Sequence, residues 1–246
     1  MTIGVLNIGN TNCEFALFDG KEFHSHYKAE TSQFDFPADI VEKIKNNTIK
    51  IGAASVVPAK QAELEAKYGK VFNWISASNC SNFIDFTDYD ASTLGADRVA
   101  NACAAAAWYP LPAMVIDCGT AITVELIDKY NVFRGGAIAP GRKLMRQALN
   151  SGTAQLPMVP LSKVVPNEPG INTATSIAWG IDRGVIGLVF ELIVASQMEF
   201  ESSLTLIATG GDAPFFTNEI KELQSSIKDF TLHGIKIAAF GLEKDN

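Results

Sequence analysis

The sequence predicts an α/β fold built twice, in two lobes of similar size. One observation is a glycine turn that occurs twice, in Leu6-Asn7-Ile8-Gly9-Asn10-Thr11 and in Ile116-Asp117-Cys118-Gly119-Thr120-Ala121, each directly after a short apolar run. A second is the spacing: Val5, Asn7 and Gly9 stand 110 positions before Val115, Asp117 and Gly119, nearly half of the 246 residues, as expected of an internal duplication. A third is the setting, because a strand-like run stands on either side of each turn, so each reads as the bend of a β-hairpin. Glycine lets backbone N–H groups approach a phosphate closely, and Thr11 and Thr120 add hydroxyl donors. Two such turns suggest one nucleotide phosphate tail held from two sides.

The elements follow in order. Residues 3–8, 14–18, 22–27 and 51–57 read as strands, with Asp19-Gly20 the hairpin turn between the second and third. Residues 61–68 read as a short helix and 71–75 as a further strand. An alanine-rich helix is expected from 96 to 108, ended by Pro110 and Pro112. The second half repeats the order, with a strand to Asp117, another over 121–128, a turn at 129–131 and a short strand into Phe133. Helices are expected over 142–151 and, longest of all, 173–196, while Pro157, Pro160, Pro166 and Pro169 mark the loop that joins them. A strand at 204–208, the Gly210-Gly211 turn and a closing helix over 214–224 complete the reading. Phe15, Phe18, Phe72 and Trp74 are assigned to the core, and Glu243-Lys244-Asp245 to a solvated tail.

Composition narrows the function. A hydrophobic content of 47% is ample for packed cores, and a net charge of −7 without a sizeable Lys/Arg cluster argues against nucleic acid or an anionic membrane as the main partner. An ATP site in such a chain needs backbone donors and a cation. Cys13, Cys80, Cys103 and Cys118 have no CxxC spacing, and neither a signal peptide nor a long apolar span is evident, so a reducing, cytoplasmic setting is expected.

Three antiparallel strands followed by helix and strand units, present twice, resemble the acetate kinase, sugar kinase, Hsp70 and actin superfamily. The resemblance implies duplicated ribonuclease H-like (actin-like ATPase) domains, mixed sheets flanked by helices, over 1–112 and 113–246. Within it the chain most resembles type III pantothenate kinases. The matching segments are Ile8-Gly9-Asn10-Thr11, Leu94-Gly95-Ala96-Asp97-Arg98, Asp117-Cys118-Gly119-Thr120-Ala121-Ile122-Thr123, Gly135-Gly136-Ala137-Ile138-Ala139-Pro140-Gly141, Thr153-Ala154-Gln155-Leu156-Pro157, Asn172-Thr173 and Gly210-Gly211-Asp212. Any one is weak alone; seven in the family's order, spread over almost the whole chain, are specific. The reaction so implied is ATP plus pantothenate giving 4′-phosphopantothenate and ADP.

Phosphoryl transfer to an alcohol needs an aligned hydroxyl, an acceptor for its proton and neutralisation of phosphate charge. Asp97 and Arg98 fall in the first turn of the helix that begins near Ala96, beside Gly95, where the helix dipole favours an ionised carboxylate. A lone Asp-Arg there reads by default as a helix-start residue beside a surface arginine. The resemblance implies instead that Asp97 is the general base and that Arg98 binds pantothenate, with Gly95 and Ala96 in the same substrate-binding run. It adds Tyr89 as an aromatic near the substrate and Thr173 as a hydrogen-bond partner, against the plainer readings of a loop aromatic on the core and the N-cap of the long helix. The run Asn7, Ile8, Gly9, Asn10, Thr11, Asn12, together with Thr120, is implied to bind ATP. Asp117, a carboxylate ending an apolar strand, either caps its turn or holds a cation; the resemblance implies potassium or ammonium. Gly210-Gly211 resembles the superfamily's adenosine-side turn, though a glycine pair after a strand is also an ordinary turn.

One position departs from the family. Asn7 stands where the resemblance implies an aspartate that helps to position magnesium, and an amide oxygen brings no charge. A weak natural enzyme, a non-catalytic sensor or accessory regulator, and a deliberate substitution all account for it; Glu125, where a second-strand aspartate is frequent, is a milder change. Gly180, Gly184 and Gly187 in the long helix admit either a subunit interface or internal packing, and the resemblance implies a homodimer. His24 and His26 alternate on a strand as a metal pair would, but an exposed strand face is the expectation.

Overall fold

The computed structural model describes residues 2–200 and 203–241, so the tail expected at Glu243-Lys244-Asp245 lies outside the described residues. The first sheet joins β1 (Thr2–Ile8), β2 (Asn12–Phe18), β3 (Phe23–Glu30), β4 (Ile49–Ser55) and β5 (Phe72–Trp74) in the order β3-β2-β1-β4-β5. The second joins β6 (Ala113–Cys118), β7 (Ala121–Ile127), β8 (Phe133–Pro140), β9 (Thr205–Thr209) and β10 (Gln224–Ser225) in the order β10-β9-β6-β7-β8. Read from opposite ends, these are one topology. β1 and β6 each lie between an antiparallel hairpin partner and a parallel strand, β2 and β4 for β1, β7 and β9 for β6. Both central strands are covered on two faces, which is why they read as continuous apolar runs.

The helices are α1 (Ala38–Lys45), α2 (Pro58–Tyr68), α3 (Ala96–Trp108), α4 (Arg142–Gly152), α5 (Thr173–Phe200), α6 (Ala213–Thr217) and α7 (Phe230–Phe240). The chain forms two compact units. One comprises residues through Tyr109, Asn131–Phe133 and the chain from Ile227; the other comprises Pro110–Tyr130 and Arg134–Ser226. The first is built around Leu6, Ile8, Phe15, Phe34, Ile51 and Leu64, the second around Met114, Ile116, Val124, Val189, Leu206 and Phe216. All four cysteines are buried and free.

The structure corrects several expected elements. The helix expected over 214–224 shrinks to α6, and the closing helix is α7, which the sequence reading missed. Phe230, Leu232, Gly234, Ile235, Lys236 and Ile237 are all buried in α7, so no polar stripe marks a helical period. α1 was also missed; it is only 8 residues long and has no side-chain cap. β8 continues through Gly135-Gly136 to Pro140, although glycine in a strand interior argues against a strand. On β3, Ser25 has φ of 52° and the pairing with β2 slips between Phe15 and Leu17, so the strict alternation of His24 and His26 fails. Both rings are exposed; His24 Nδ1 meets Ser25 Oγ at 3.0 Å and His26 Nε2 lies 3.0 Å from Asp229.

α7 determines where α3 lies. A Cβ at Gly234 would stand 1.9 Å from the Ala100 carbonyl oxygen, and one at Gly52 on β4 would stand 2.8 Å from Ala239 Cβ. Thr231 Oγ1 also donates to Asn101 Oδ1 at 2.8 Å. α3 thus meets α7 backbone to backbone, while the bare backbone of β4 at Gly52 meets the Ala239 and Phe240 side chains. Gly234→Ala is expected to cost at least about 1–3 kcal/mol, because the new methyl faces a carbonyl rather than a movable side chain. A urea transition with a lower midpoint and unchanged slope would bear this out, whereas an unchanged midpoint would show that the packing is looser than described.

Candidate active site

In the first unit, the turn after β1 is closed by Gly9 N–H donating to Asn12 C=O at 3.0 Å. Thr31, absent from the sequence reading, braces it: its hydroxyl donates to Gly9 C=O at 2.6 Å and its N–H to Thr11 C=O at 3.0 Å. No local signal marks Thr31, since it lies 22 residues beyond Gly9. The bracing leaves Asn10, Thr11 and Asn12 exposed at the tip, with Ile8 buried beneath. Asn7, one residue further back, has a buried Oδ1 that accepts no hydrogen bond. A buried oxygen acceptor without a donor is costly unless a ligand supplies its partner.

The substrate-side run begins α3. A Cβ at Gly95 would stand 2.6 Å from Asp97 Oδ1, so only glycine lets that carboxylate fold back over the helix start, where it accepts from Arg98 N–H at 2.8 Å. Burial pushes the Asp97 carboxyl above the usual carboxylate range, outweighing this hydrogen bond and the Arg98 charge. The expected effect of the helix dipole is therefore overridden. Nor is Arg98 a surface residue: it is 5% exposed, with its guanidinium 5.7 Å from the centre of the Phe133 ring, and Ala96 is buried beside it. Tyr89 meets the same ring edge-on at 5.1 Å. Phe133 is held by N–H donation to Asp85 C=O at 2.8 Å, while Asp85 N–H donates to Asn131 C=O at 2.9 Å. One fully buried ring thus gathers Tyr89 and Arg98, as the core-packing reading of Tyr89 expects.

In the second unit, three turns meet at the end of β6. Gly119 N–H donates to Ala121 C=O at 3.0 Å, leaving Gly119 and Thr120 exposed. Gly141 N–H donates to Thr120 C=O at 2.9 Å, and a Cβ there would stand 2.3 Å from Gly119 O, so the start of α4 presses on this turn. Gly210 has φ of +89°, and a Cβ there would stand 2.4 Å from Asp117 Oδ1 and 2.7 Å from Cys118 O. Asp212 N–H donates to that Cys118 carbonyl at 2.9 Å. Gly210 therefore packs its Cα against the Asp117 carboxylate and the Cys118 carbonyl, where no side chain has room. Glu125 is fully buried in β7.

Thr173 is the first residue of α5 but not its cap. Asn172 caps the helix by accepting from Thr175 N–H at 3.0 Å, while Thr175 Oγ1 accepts from Asn172 N–H at 3.1 Å. Thr173 is left exposed beside a mainly apolar groove of about 520 Å3 that it lines with Leu149, Leu156 and Ile177. Gly180, Gly184 and Gly187 are exposed, and a Cβ at any of them would meet nothing within 4 Å. Internal packing does not account for that glycine face. Arg142, Arg146 and Asp182, buried and charged, also escaped the sequence reading, because their partners lie 36 to 70 positions apart.

Paired sheets of one topology, each with a glycine turn at the tip of its central strand, define an actin-like ATPase fold. Solved structures agree on the fold: a candidate Baf family transcriptional activator from Campylobacter jejuni (22% identity, TM-score 0.62, 96% of each chain covered) and a candidate 2-dehydro-3-deoxygalactonokinase from Sinorhizobium meliloti (11%, 0.58, 99% of this chain and 98% of the other). A candidate N-acetylmannosamine kinase from Listeria monocytogenes shares it too, at 14% identity and TM-score 0.54, over 97% of this chain and 98% of that one. The sequence profile described as type III pantothenate kinase matches residues 5–195. Type III pantothenate kinases from Endomicrobium trichonymphae and Caulobacter vibrioides are 33% and 30% identical, covering 94% and 96% of this chain and 96% and 95% of theirs. The chain belongs to the type III pantothenate kinase family.

The burial of Asp97 has a thermodynamic signature. A carboxyl whose folded pKa is raised contributes stability below its unfolded pKa of about 3.9, and that contribution is lost as pH rises through the folded value. Asp97→Asn removes this charge, so its melting temperature should gain on that of the parent chain between about pH 4 and pH 7. Parallel stability curves for the two proteins across that range would contradict the desolvated carboxylate.

Proposed function

We propose that this chain phosphorylates pantothenate with ATP, giving 4′-phosphopantothenate and ADP, the first step of coenzyme A biosynthesis. The observation that carries the reading, beyond family membership, is the desolvated Asp97 carboxylate pinned beside buried Arg98 at the start of α3. A carboxylate with a raised pKa is the stronger proton acceptor, and Asp97 in this role takes the proton of the substrate hydroxyl as the phosphoryl group is transferred. Arg98, whose guanidinium lies over the Phe133 ring, is assigned to the pantothenate carboxylate, with Gly95, Ala96 and Tyr89 alongside. The exposed Thr173 hydroxyl supplies a further hydrogen bond.

On this reading the tips of both hairpins bind ATP. Residues 7–12 form one turn and Thr120 part of the other, with exposed hydroxyls and N–H groups available to phosphate oxygens. Magnesium, when bound, neutralises charge on those oxygens; the unsatisfied Asn7 Oδ1 fits a metal-bound water but adds no charge. Asp117, the carboxylate near the end of β6, is assigned to a monovalent cation, potassium or ammonium. The exposed glycine face of α5, with Phe190 54% and Met198 78% exposed, is assigned to contact with a second copy in a homodimer. Four free, buried thiols suit a cytoplasmic setting. A sensor role rests on Asn7 alone.

Coupled measurement of ADP release with pantothenate, ATP, magnesium and potassium tests the reaction. Asp97→Asn should fold normally and turn over about 100-fold or more slowly, the scale of positioned base catalysis. A native chain that releases no ADP in response to pantothenate would overturn the assignment. Asn7→Asp restores a carboxylate at the magnesium position and should raise activity or magnesium affinity by about 10 to 100-fold. If both forms bind ligands and neither turns over, the sensor reading prevails; if a magnesium titration cannot tell them apart, Asn7 does not serve the metal.

A further inference from the structure

The second unit buries a cluster of charges that the reaction scheme does not use. Arg142 and Arg146 are each 1% exposed and Asp182 is 0% exposed. Asp182 Oδ1 accepts from Arg142 Nε and Arg146 Nη2, both at 2.9 Å. The other edge of the Arg142 fork reaches Asp212, with Nη1 2.9 Å and 3.1 Å from the two carboxylate oxygens, while Nη2 donates to Ser162 C=O at 2.7 Å. The guanidinium also lies flat on Phe215, 3.4 Å from its ring centre. A single side chain thereby joins α4, α5, the proline-rich loop, α6 and the turn after β9.

Two arginines against two aspartates leave the set neutral, but neutrality does not explain its presence. A buried ion pair is commonly no more stabilising than apolar groups of equal volume, because desolvation offsets the Coulomb attraction. What a planar fork does that an apolar side chain cannot is hold several segments at set distances. The segments held here matter. Arg142 directly follows Gly141, which is hydrogen-bonded to Thr120, and its partner Asp212 is hydrogen-bonded to Cys118 and follows the Gly210 turn that presses on Asp117.

We propose that Arg142 is a positioning residue for the nucleotide and cation half of the site, locking the Gly119-Thr120 turn, the start of α4 and the Gly210-Gly211-Asp212 turn into one arrangement. The assignment of ATP and potassium to these turns rests on the function proposed above. Arg142 acts through Asp212 and the backbone.

Titration of the full-length chain with ATP in potassium, alongside steady-state kinetics, separates this role from a purely structural one. Arg142→Lys keeps the charge and loses the fork; it should weaken ATP binding and raise the potassium concentration for half-maximal rate by about tenfold or more, while the KM for pantothenate stays within about twofold. The pair Arg142→Met with Asp212→Asn leaves Arg146 and Asp182 balanced, so it should recover thermal stability relative to Arg142→Met alone without recovering ATP affinity. If stability and ATP affinity recover together, or if Arg142→Lys leaves the ATP and potassium constants unchanged, Arg142 is structural only. Should Arg142→Lys fail to fold, Asp212→Asn cuts the same bond at a partly exposed residue, and an unchanged ATP constant there overturns the proposal. The ATP titration does not depend on the acceptor, so a native chain that binds ATP but ignores pantothenate defeats the proposed function and leaves this inference standing or falling on the variants. A native chain that binds no ATP defeats the inference.

Discussion

Each half of this protein depends on one strand that is covered on both faces and hydrogen-bonded on both edges. β1 and β6 have antiparallel and parallel neighbours, so their backbone groups are used by the ladders and their side chains by the cores. Chemistry is then confined to the strand tips, where the ladder stops and the hairpin turns back. Asn7 and Asp117 occupy the same place in the two repeats, one step before the last strand residue. The identity of two side chains thus separates a neutral tip from a charged one on an otherwise shared frame.

The copies differ in loop length as well. Gly9, Asn10 and Thr11 connect β1 to β2, whereas only Gly119 and Thr120 connect β6 to β7. The longer turn needs Thr31 to brace it from outside the hairpin; the shorter one is clamped by the glycine-lined starts of α4 and of the turn after β9. Similar turn sequences are thus stabilised by different surroundings.

Much of this was legible in the sequence because its signals are local. Glycine turns, apolar runs and the alanine-rich helix closed by Pro110 and Pro112 specify both hairpins, α3 and most of α5 without reference to distant residues. Elements whose rationale is tertiary were not legible. α7 has no polar face because α3 and β4 cover it, and α4 turns Arg142 and Arg146 inward only because Asp182 and Asp212 await them. In the candidate site, Asp97, Arg98 and Tyr89 were singled out through their resemblance to a family motif, but the meeting of Arg98 and Tyr89 on Phe133 depends on a strand that begins 35 residues or more downstream. Thr173 begins α5 without capping it, since Asn172 fills that role with a side chain one position earlier.

The four buried thiols give the molecule its own reporters of motion. Cys13 follows the first glycine turn and donates to Thr31 Oγ1, Cys118 precedes the second, Cys103 lies within α3, and Cys80 stands at the start of the segment leading to Tyr89. A buried thiol meets an alkylating reagent only when its surroundings open, so the labelling rates of Cys13 and Cys118 measure the opening free energies of their own turns, while Cys80 and Cys103, hydrogen-bonded to one another, report a shared opening. Burial also pushes the Cys13 and Cys118 thiols up, which keeps both in the unreactive form until they are exposed to water. Breathing at the two glycine turns and at the Cys80–Cys103 contact is therefore written into the native chain as separate chemical clocks.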